Sequence, residues 1–278
     1  MKIKARRKIH WQTVVLMVVM VVASLVAIAP FWFMLNMGTY KANELYTGIK
    51  LIPSNYLAQN FKSLMTINFS RYYVNSLLVS TLCAGLTVLV CSMCGYALSK
   101  YKFKGRKAMG NVVMLTMMVP TQLSLVGFVI EMNKIGWLNS LLPLIIPPAA
   151  SAFGVFWIRQ YTRDCIPDSV IESARLDGCG EFRIFVQIGL PFMGPACMTL
   201  ALLSFLWSWN SFVTPMIVLT NEKLYTVPLG IRQLATQFRT DIGAQILGLS
   251  LATIPMLLLF ALFSKNLISG LASAAVKE

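Results

Sequence analysis

The sequence predicts an all-α membrane protein that crosses the bilayer six times, with both termini in the cytoplasm. Three observations predict it. Of 278 residues, 57% are hydrophobic and only 12% are charged, about half the charged share of a soluble domain. Six apolar runs recur along the chain, each about the 20 residues that a helix needs to cross a hydrocarbon core about 30 Å thick. The charges sit in short clusters between those runs. A soluble enzyme of this length would need far more charge to cover its surface, and the apolar content excludes disorder. A net charge of +14 would suggest nucleic acid in a soluble protein. Here the basic clusters flank apolar runs and set membrane orientation instead, so no nucleic-acid partner is expected.

Residues 1–11 read as a basic tail carrying Lys2, Lys4, Arg6, Arg7 and Lys8. The first run, 12–35, contains Ala27-Ile28-Ala29, which mimics a signal-peptide cleavage site. The run is longer than a signal h-region and Pro30 follows the mimic directly, so a retained anchor is expected. The other runs are 74–98, 109–131, 141–160, 196–219 and 244–267. In hydrocarbon every backbone polar group must bond within its own segment, which makes runs of this length helices. A β-barrel would need shorter alternating segments. Residues 12–267 thus form one six-helix domain, and 268–278 form a tail.

Lys and Arg in the loops give the orientation. The 99–108 loop holds Lys100, Lys102, Lys104, Arg106 and Lys107, and the next loop on that side holds Arg159, Arg163, Arg175 and Arg183. With the N-terminal tail they outnumber the cations of the opposite side, such as Lys41, Lys50, Lys134 and Arg232. The positive-inside rule then places both termini in the cytoplasm.

The middles of the spans hold no Asp, Glu, His, Lys or Arg; Glu131 and Arg159 lie near ends, where long side chains reach the interface. Proton- or sodium-driven carriers need such groups inside, so autonomous ion coupling is not expected. The chain has no G-x-x-x-x-G-K-S/T loop for ATP; any ATP that drives it is hydrolysed by another subunit. Cys91-Ser92-Met93-Cys94 has no second pair or flanking His, so no metal site is expected. Asn75, Asn111, Gln122 and Asn210 either satisfy neighbouring helices or line a polar pathway. Prolines 120, 143, 147, 148, 215 and 255 should kink or break helices.

The 161–195 loop concentrates five of the ten acids: Asp164, Asp168, Glu172, Asp177 and Glu181. It predicts a short helix. Pro167 suits the first helical position, with Ser169 and Glu172 as an alternative capping box. Asp168 stands near the positive end of the helix dipole, and Gly178 suits the left-handed position after its end. Val170, Ile171 and Ala174 share one face; Asp168, Glu172 and Arg175 share another. A second helix should follow through Phe182, Phe185, Val186 and Gly189 and stop at Leu190-Pro191. The result is a knob whose small residues Ser173, Ala174 and Gly178 admit a partner closely; a merely solvated charged loop is the other reading.

Glu172-Ser173-Ala174, Asp177-Gly178, Phe185, Ile188, Leu190-Pro191 and Pro195 resemble the EAA loop of bacterial ABC-transporter permeases. Ser173 and Cys179 stand where that pattern has Ala. Tyr73-Val74-Asn75-Ser76-Leu77, Trp207-Ser208-Trp209-Asn210-Ser211-Phe212 with Pro215, and Tyr225-Thr226-Val227-Pro228-Leu229-Gly230 resemble further segments of sugar permeases. So does the end Gly270-Leu271 to Glu278, with Ala274 and Glu278 at two glycine positions. The resemblance covers nearly the whole chain and is closest to the six-span partner of the maltose-type permease heterodimers.

That resemblance implies a type I ABC importer permease fold in the bacterial cytoplasmic (inner) membrane. It implies binding-protein-dependent, ATP-driven import of a sugar or sugar-like solute by alternating access; a non-sugar cargo such as glycerol phosphate is the alternative. It implies a coupling helix in the 166–191 loop, with Glu172 as charged contact, Ser173 and Ala174 for close packing, and Asp177, Gly178 and Pro191 completing the motif. The implied partners are a second permease, two ATPase subunits that carry ATP and Mg, an extracytoplasmic solute-binding protein and the lipid bilayer. The chain itself would hold no cofactor and no ATPase site. The binding protein would meet the 221–243 segment, with Tyr225, Pro228 and Gly230. Trp209, Asn210 and Gln122 are of a type suited to a sugar pathway. A membrane enzyme would need a His, Cys or acid cluster near an interface, and a scaffold would not need the loop's spacing.

Overall fold

A computed structural model describes residues 11–48, 50–235 and 241–275, with side chains described as far as residue 263. The basic tail 1–10 and Val276-Lys277-Glu278 lie outside the described residues. The regular elements, in order, are α1 (Trp11–Met37), α2 (Leu57–Met65), α3 (Phe69–Lys100), α4 (Arg106–Met117), α5 (Leu125–Lys134), α6 (Leu142–Ala149) and α7 (Ala152–Cys165). They continue with α8 (Asp168–Leu176), α9 (Glu181–Ile184), α10 (Leu190–Trp209), α11 (Val213–Val218), α12 (Val227–Ile231) and α13 (Ile242–Ala275).

Among the described residues, five helical stretches are long and apolar enough to cross a membrane: Trp11–Met37, Phe69–Lys100, Leu142–Cys165, Glu181–Trp209 and Ile242–Phe263. The expected third span, 109–131, is not one straight helix. It is a pair, Arg106–Met117 and Gln122–Lys134, bent by 89°, which makes a sixth span if counted as one. Pro120 explains the break. It lacks an N–H, and it disfavours helical backbone at the residue before it; its own ψ of 123° is extended.

The fifth span also departs from expectation. The knob's second helix does not stop at Leu190-Pro191. α9, a π turn over Phe185–Gly189, and α10 run on as one path from Glu181 to Trp209. Pro191 sits in the first turn of α10, where a missing N–H costs little. The 196–219 run instead ends early, at Trp209. The Asn210 side chain donates to Leu206 O at 2.8 Å, and α11 restarts with Pro215 in its first turn. The fourth span is longer than 141–160 and is interrupted at Ala150-Ser151, after Pro147 and Pro148; the Ser151 hydroxyl accepts from Gly154 N and starts α7.

The chain divides into two compact units. The first comprises residues up to Ile67 together with Ile231–Leu251. Within it α1 is apolar all round and buries only Asn36, as a helix bathed in lipid does. The Asn60 amide donates to Gly38 O and Tyr40 O, each at 2.9 Å, and closes the turn after α1.

The second unit comprises Asn68–Gly230 and Ala252 onward. α3 forms its centre, with α7 and α10 packed against it. Its core gathers Cys91, Tyr96, Ile158, Ile184, Met193 and Leu200. The helices approach at small residues, as membrane helices do: a Cβ on Gly95 would stand 2.8 Å from Ile158, and one on Gly189 2.9 Å from the Tyr96 ring.

Candidate functional site

The knob is built as a short helix held at both ends. α8 begins at Asp168, one residue later than expected, with Pro167 extended before it (φ −62°, ψ 138°). The Ser169–Glu172 capping box does not form, because the helix starts at Asp168 and no side chain caps it. Lys100, the last residue of α3, does the fastening. Its Nζ donates to Ile166 O and, at 2.7 Å, to Asp168 Oδ1. The Lys100 side chain is 5% exposed and that of Asp168 78%, so the ammonium is pinned inside while its partner reaches water. The bond and charge of Lys100 hold the Asp168 carboxyl below the usual carboxylate range.

The other end is a Schellman turn. Cys179 N donates to Ala174 O and Gly178 N to Arg175 O, both at 3.0 Å, with Gly178 at φ 79°. Only glycine adopts that backbone without steric cost. Arg175 then grips Glu181 with two bonds, Nε to Oε1 at 2.6 Å and Nη2 to Oε2 at 3.2 Å, which fixes the angle between α8 and α9.

The two faces of α8 divide as the spacing predicts. Ile171 and Ala174 are buried in the second unit's core with Ile158 and Ile184. Ala174 therefore faces its own subunit and offers no surface for close approach; Ser173, Glu172, Asp177 and Gly178 are exposed. Pro191 is exposed but belongs to α10 and not to the knob. Two residues outside the motif stand out instead. Leu176 is 88% exposed and Phe182 74%, flanking the Gly178 turn. Apolar side chains in an otherwise charged loop were the sequence signal for them. Beside α8 opens a cleft of about 670 Å³. Arg106 closes the end of α3 next to it, donating to Leu98 O and Ser99 O at 2.8 and 2.9 Å, as a cation at a helix C-terminus should.

The three polar-pathway candidates do not come together. Trp209 is 2% exposed; its indole N–H donates to Ala252 O at 3.0 Å, and its ring stacks on Phe205 and meets the edge of Tyr73. Asn210 caps α10, and Gln122 lies exposed in the turn after Pro120. None of them lines the cavity of about 150 Å³ between α3, α6, α10 and α11. Trp207 lines it instead, with Ser204, Ser208 and Ser211. Ser204, Trp207 and Ser208 recur at i, i+3 and i+4, one stripe of α10, a pattern present in the sequence, and Ser211 follows just beyond the helix end.

The 221–230 part of the expected binding-protein segment is tied to the start of α3. Asn75 Nδ2 donates to Lys223 O and Tyr225 O, each at 3.0 Å, and Val227 N donates to the Ser76 hydroxyl at 2.8 Å. Tyr225 and Pro228 are half-buried. Gly230 is buried against the Tyr72 ring, which leaves no room for a Cβ. Residues 236–240 of that segment lie outside the described residues.

Residues 88–273 match the family described as binding-protein-dependent transport system inner membrane component. The arabinooligosaccharides transport system permease protein of Halalkalibacterium halodurans is 33% identical over 234 residues, 83% of this chain and 84% of its own length. The probable starch degradation products transport system permease protein of Thermoanaerobacterium thermosulfurigenes is 30% identical over 274 residues, 98% of this chain and 100% of its own. A chain in the crystal structure of a bacterial ABC transporter involved in the import of the acidic polysaccharide alginate superposes with a TM-score of 0.78 at 21% identity. That match covers 91% of this chain and 95% of the other, a likeness of fold. The chain therefore belongs to the binding-protein-dependent transport system inner membrane components, the multi-pass ABC-transporter permeases of the cytoplasmic membrane.

Proposed function

We propose that this chain is one permease subunit of an ATP-driven importer of sugar oligomers, and that separate ATPases drive it through α8. The observation that carries this reading is the build of the knob. Ile171 and Ala174 root α8 in the core shared with α3 and α10, while Glu172, Leu176 and Phe182 face outward. A partner that moves α8 must therefore move the helices behind it, which is the rigid-body route to alternating access. Lys100 bears the same load at the N-terminal end of α8, and the Arg175–Glu181 pair at its C-terminal end.

In this reading the knob and both termini are cytoplasmic, because the basic loops lie on that side. ATP and Mg belong to the two ATPases, which seat α8 in a surface cleft. A second permease completes the pathway, and an extracytoplasmic solute-binding protein delivers cargo near Tyr225 and Pro228. The named cargoes of the two relatives, arabinooligosaccharides and starch degradation products, support a sugar oligomer. Purification of the tagged chain from its host in mild detergent tests the assembly. An ATPase and a second permease should co-purify; reproducible recovery of the chain alone, in several detergents, would count against the proposal.

A further inference from the structure

We propose that this subunit itself holds one ring of a neutral sugar, in the cavity between α3, α6, α10 and α11. The inference rests on the importer reading above and goes beyond it by placing cargo contact in this chain and fixing its charge. Three observations carry it. First, the cavity measures about 150 Å³, the size at which a protein cavity takes the bare six-membered ring of benzene, so it holds at most part of a sugar chain. Second, its wall holds two hydroxyls without partners. Ser204 is 5% exposed and Thr226 3%, both line the cavity, and neither Ser204 Oγ nor Thr226 Oγ1 has a hydrogen-bond partner. Buried polar groups are nearly always bonded, so two orphans on one cavity call for a polar occupant. Third, Trp207, itself 53% exposed, borders the same space, held edge-on against Phe153 at 5.4 Å between ring centres.

An indole beside free hydroxyls suits a sugar ring, which has apolar C–H faces and a rim of donors and acceptors. The lining also says what the occupant is not. Among the described residues, no Lys, Arg, Asp or Glu lines the cavity. A phosphate or carboxylate buried there would have no cation to offset its desolvation. The cavity therefore favours a neutral sugar over a polyol phosphate or a uronate.

The test uses the whole complex in proteoliposomes with its binding protein, and reads uptake and binding-protein-stimulated ATPase on the same vesicles. The probes are labelled arabinotriose, maltotriose and, as the acidic arm, an alginate trisaccharide. Wild type should take up a neutral probe and not the acidic one. Ser204→Leu, which fills the cavity, should cut uptake at least tenfold while ATPase stimulation stays within about twofold. Ser204→Ala and Thr226→Val should each raise the KM for uptake by about three- to tenfold, the scale of one lost hydrogen bond. Normal uptake by all three variants would mean that the cavity holds water only, and would overturn the inference while leaving the importer reading intact. Uptake of the acidic probe alone would also overturn it. Failure of wild type to take up any probe, or to show stimulated ATPase, would strike the importer reading itself.

Discussion

The knob and the cavity belong to the same unit yet differ in the polar groups that define them. In the knob the polar groups that set its geometry are engaged. Lys100 is bonded twice, the C-terminal carbonyls of α8 are closed by the Gly178 turn, and Arg175 is paired with Glu181. In the cavity Ser204 and Thr226 are buried and left open. A part that transmits force must have one geometry, which satisfied networks enforce. A part that receives a hydroxylated cargo must hold unfilled bonding capacity until the cargo arrives. Under the proposed function, the contrast separates a coupling region from a cargo-binding one.

The strongest way to break the contrast is to attack the knob's two faces separately. Ile171→Asp puts an unpaired carboxyl group at a site 2% exposed, which even in its neutral form costs on the order of 2–7 kcal/mol. The knob should lose its seat, uptake should vanish, and limited proteolysis should cut at 166–181. Leu176→Asp, at 88% exposure, should leave the protease pattern unchanged and weaken only the ATPase contact. If both variants behave alike, the two-faced knob is wrong.

A finer cut addresses Lys100. Lys100→Met should leave the complex assembled but lower the sugar moved per ATP hydrolysed severalfold, with Lys100→Arg restoring part of it. The pH dependence follows from Asp168. Its carboxyl is held below the unfolded value of about 3.9, so the tie is complete above that value. It is lost only as pH falls through the lowered one. Coupling should therefore be flat from pH 5 to 8 with respect to this pair. A drop in that window that Asp168→Asn abolishes would contradict the assignment. The smallest effect belongs to Arg175→Ala. That pair is about half exposed, and exposed pairs contribute about 0–1 kcal/mol; uptake should fall by less than about threefold.

How much of this was legible beforehand depended on local rules. Gly178 announced its turn, because few other residues take a positive φ cheaply. Prolines were less readable. Pro120 broke its span, whereas Pro191 did not, because the π turn before it left its missing N–H in the first turn of a new helix. Trp207 and not Trp209 lines the cavity, although Trp209 is the buried indole and Trp207 is 53% exposed. The two are two residues apart, about 200° around the helix, and composition cannot say which of them borders a cavity. The Lys100–Asp168 tie joins residues 68 apart, and no local pattern encodes such a contact.

The most direct test of the central claim is the composition of the complex carrying Glu172→Lys. This charge reversal sits on the outward face of α8, where it disturbs no buried contact. The account predicts that the second permease still co-purifies in full while the ATPase is lost or no longer drives uptake. Wild-type ATPase content together with wild-type uptake would contradict it.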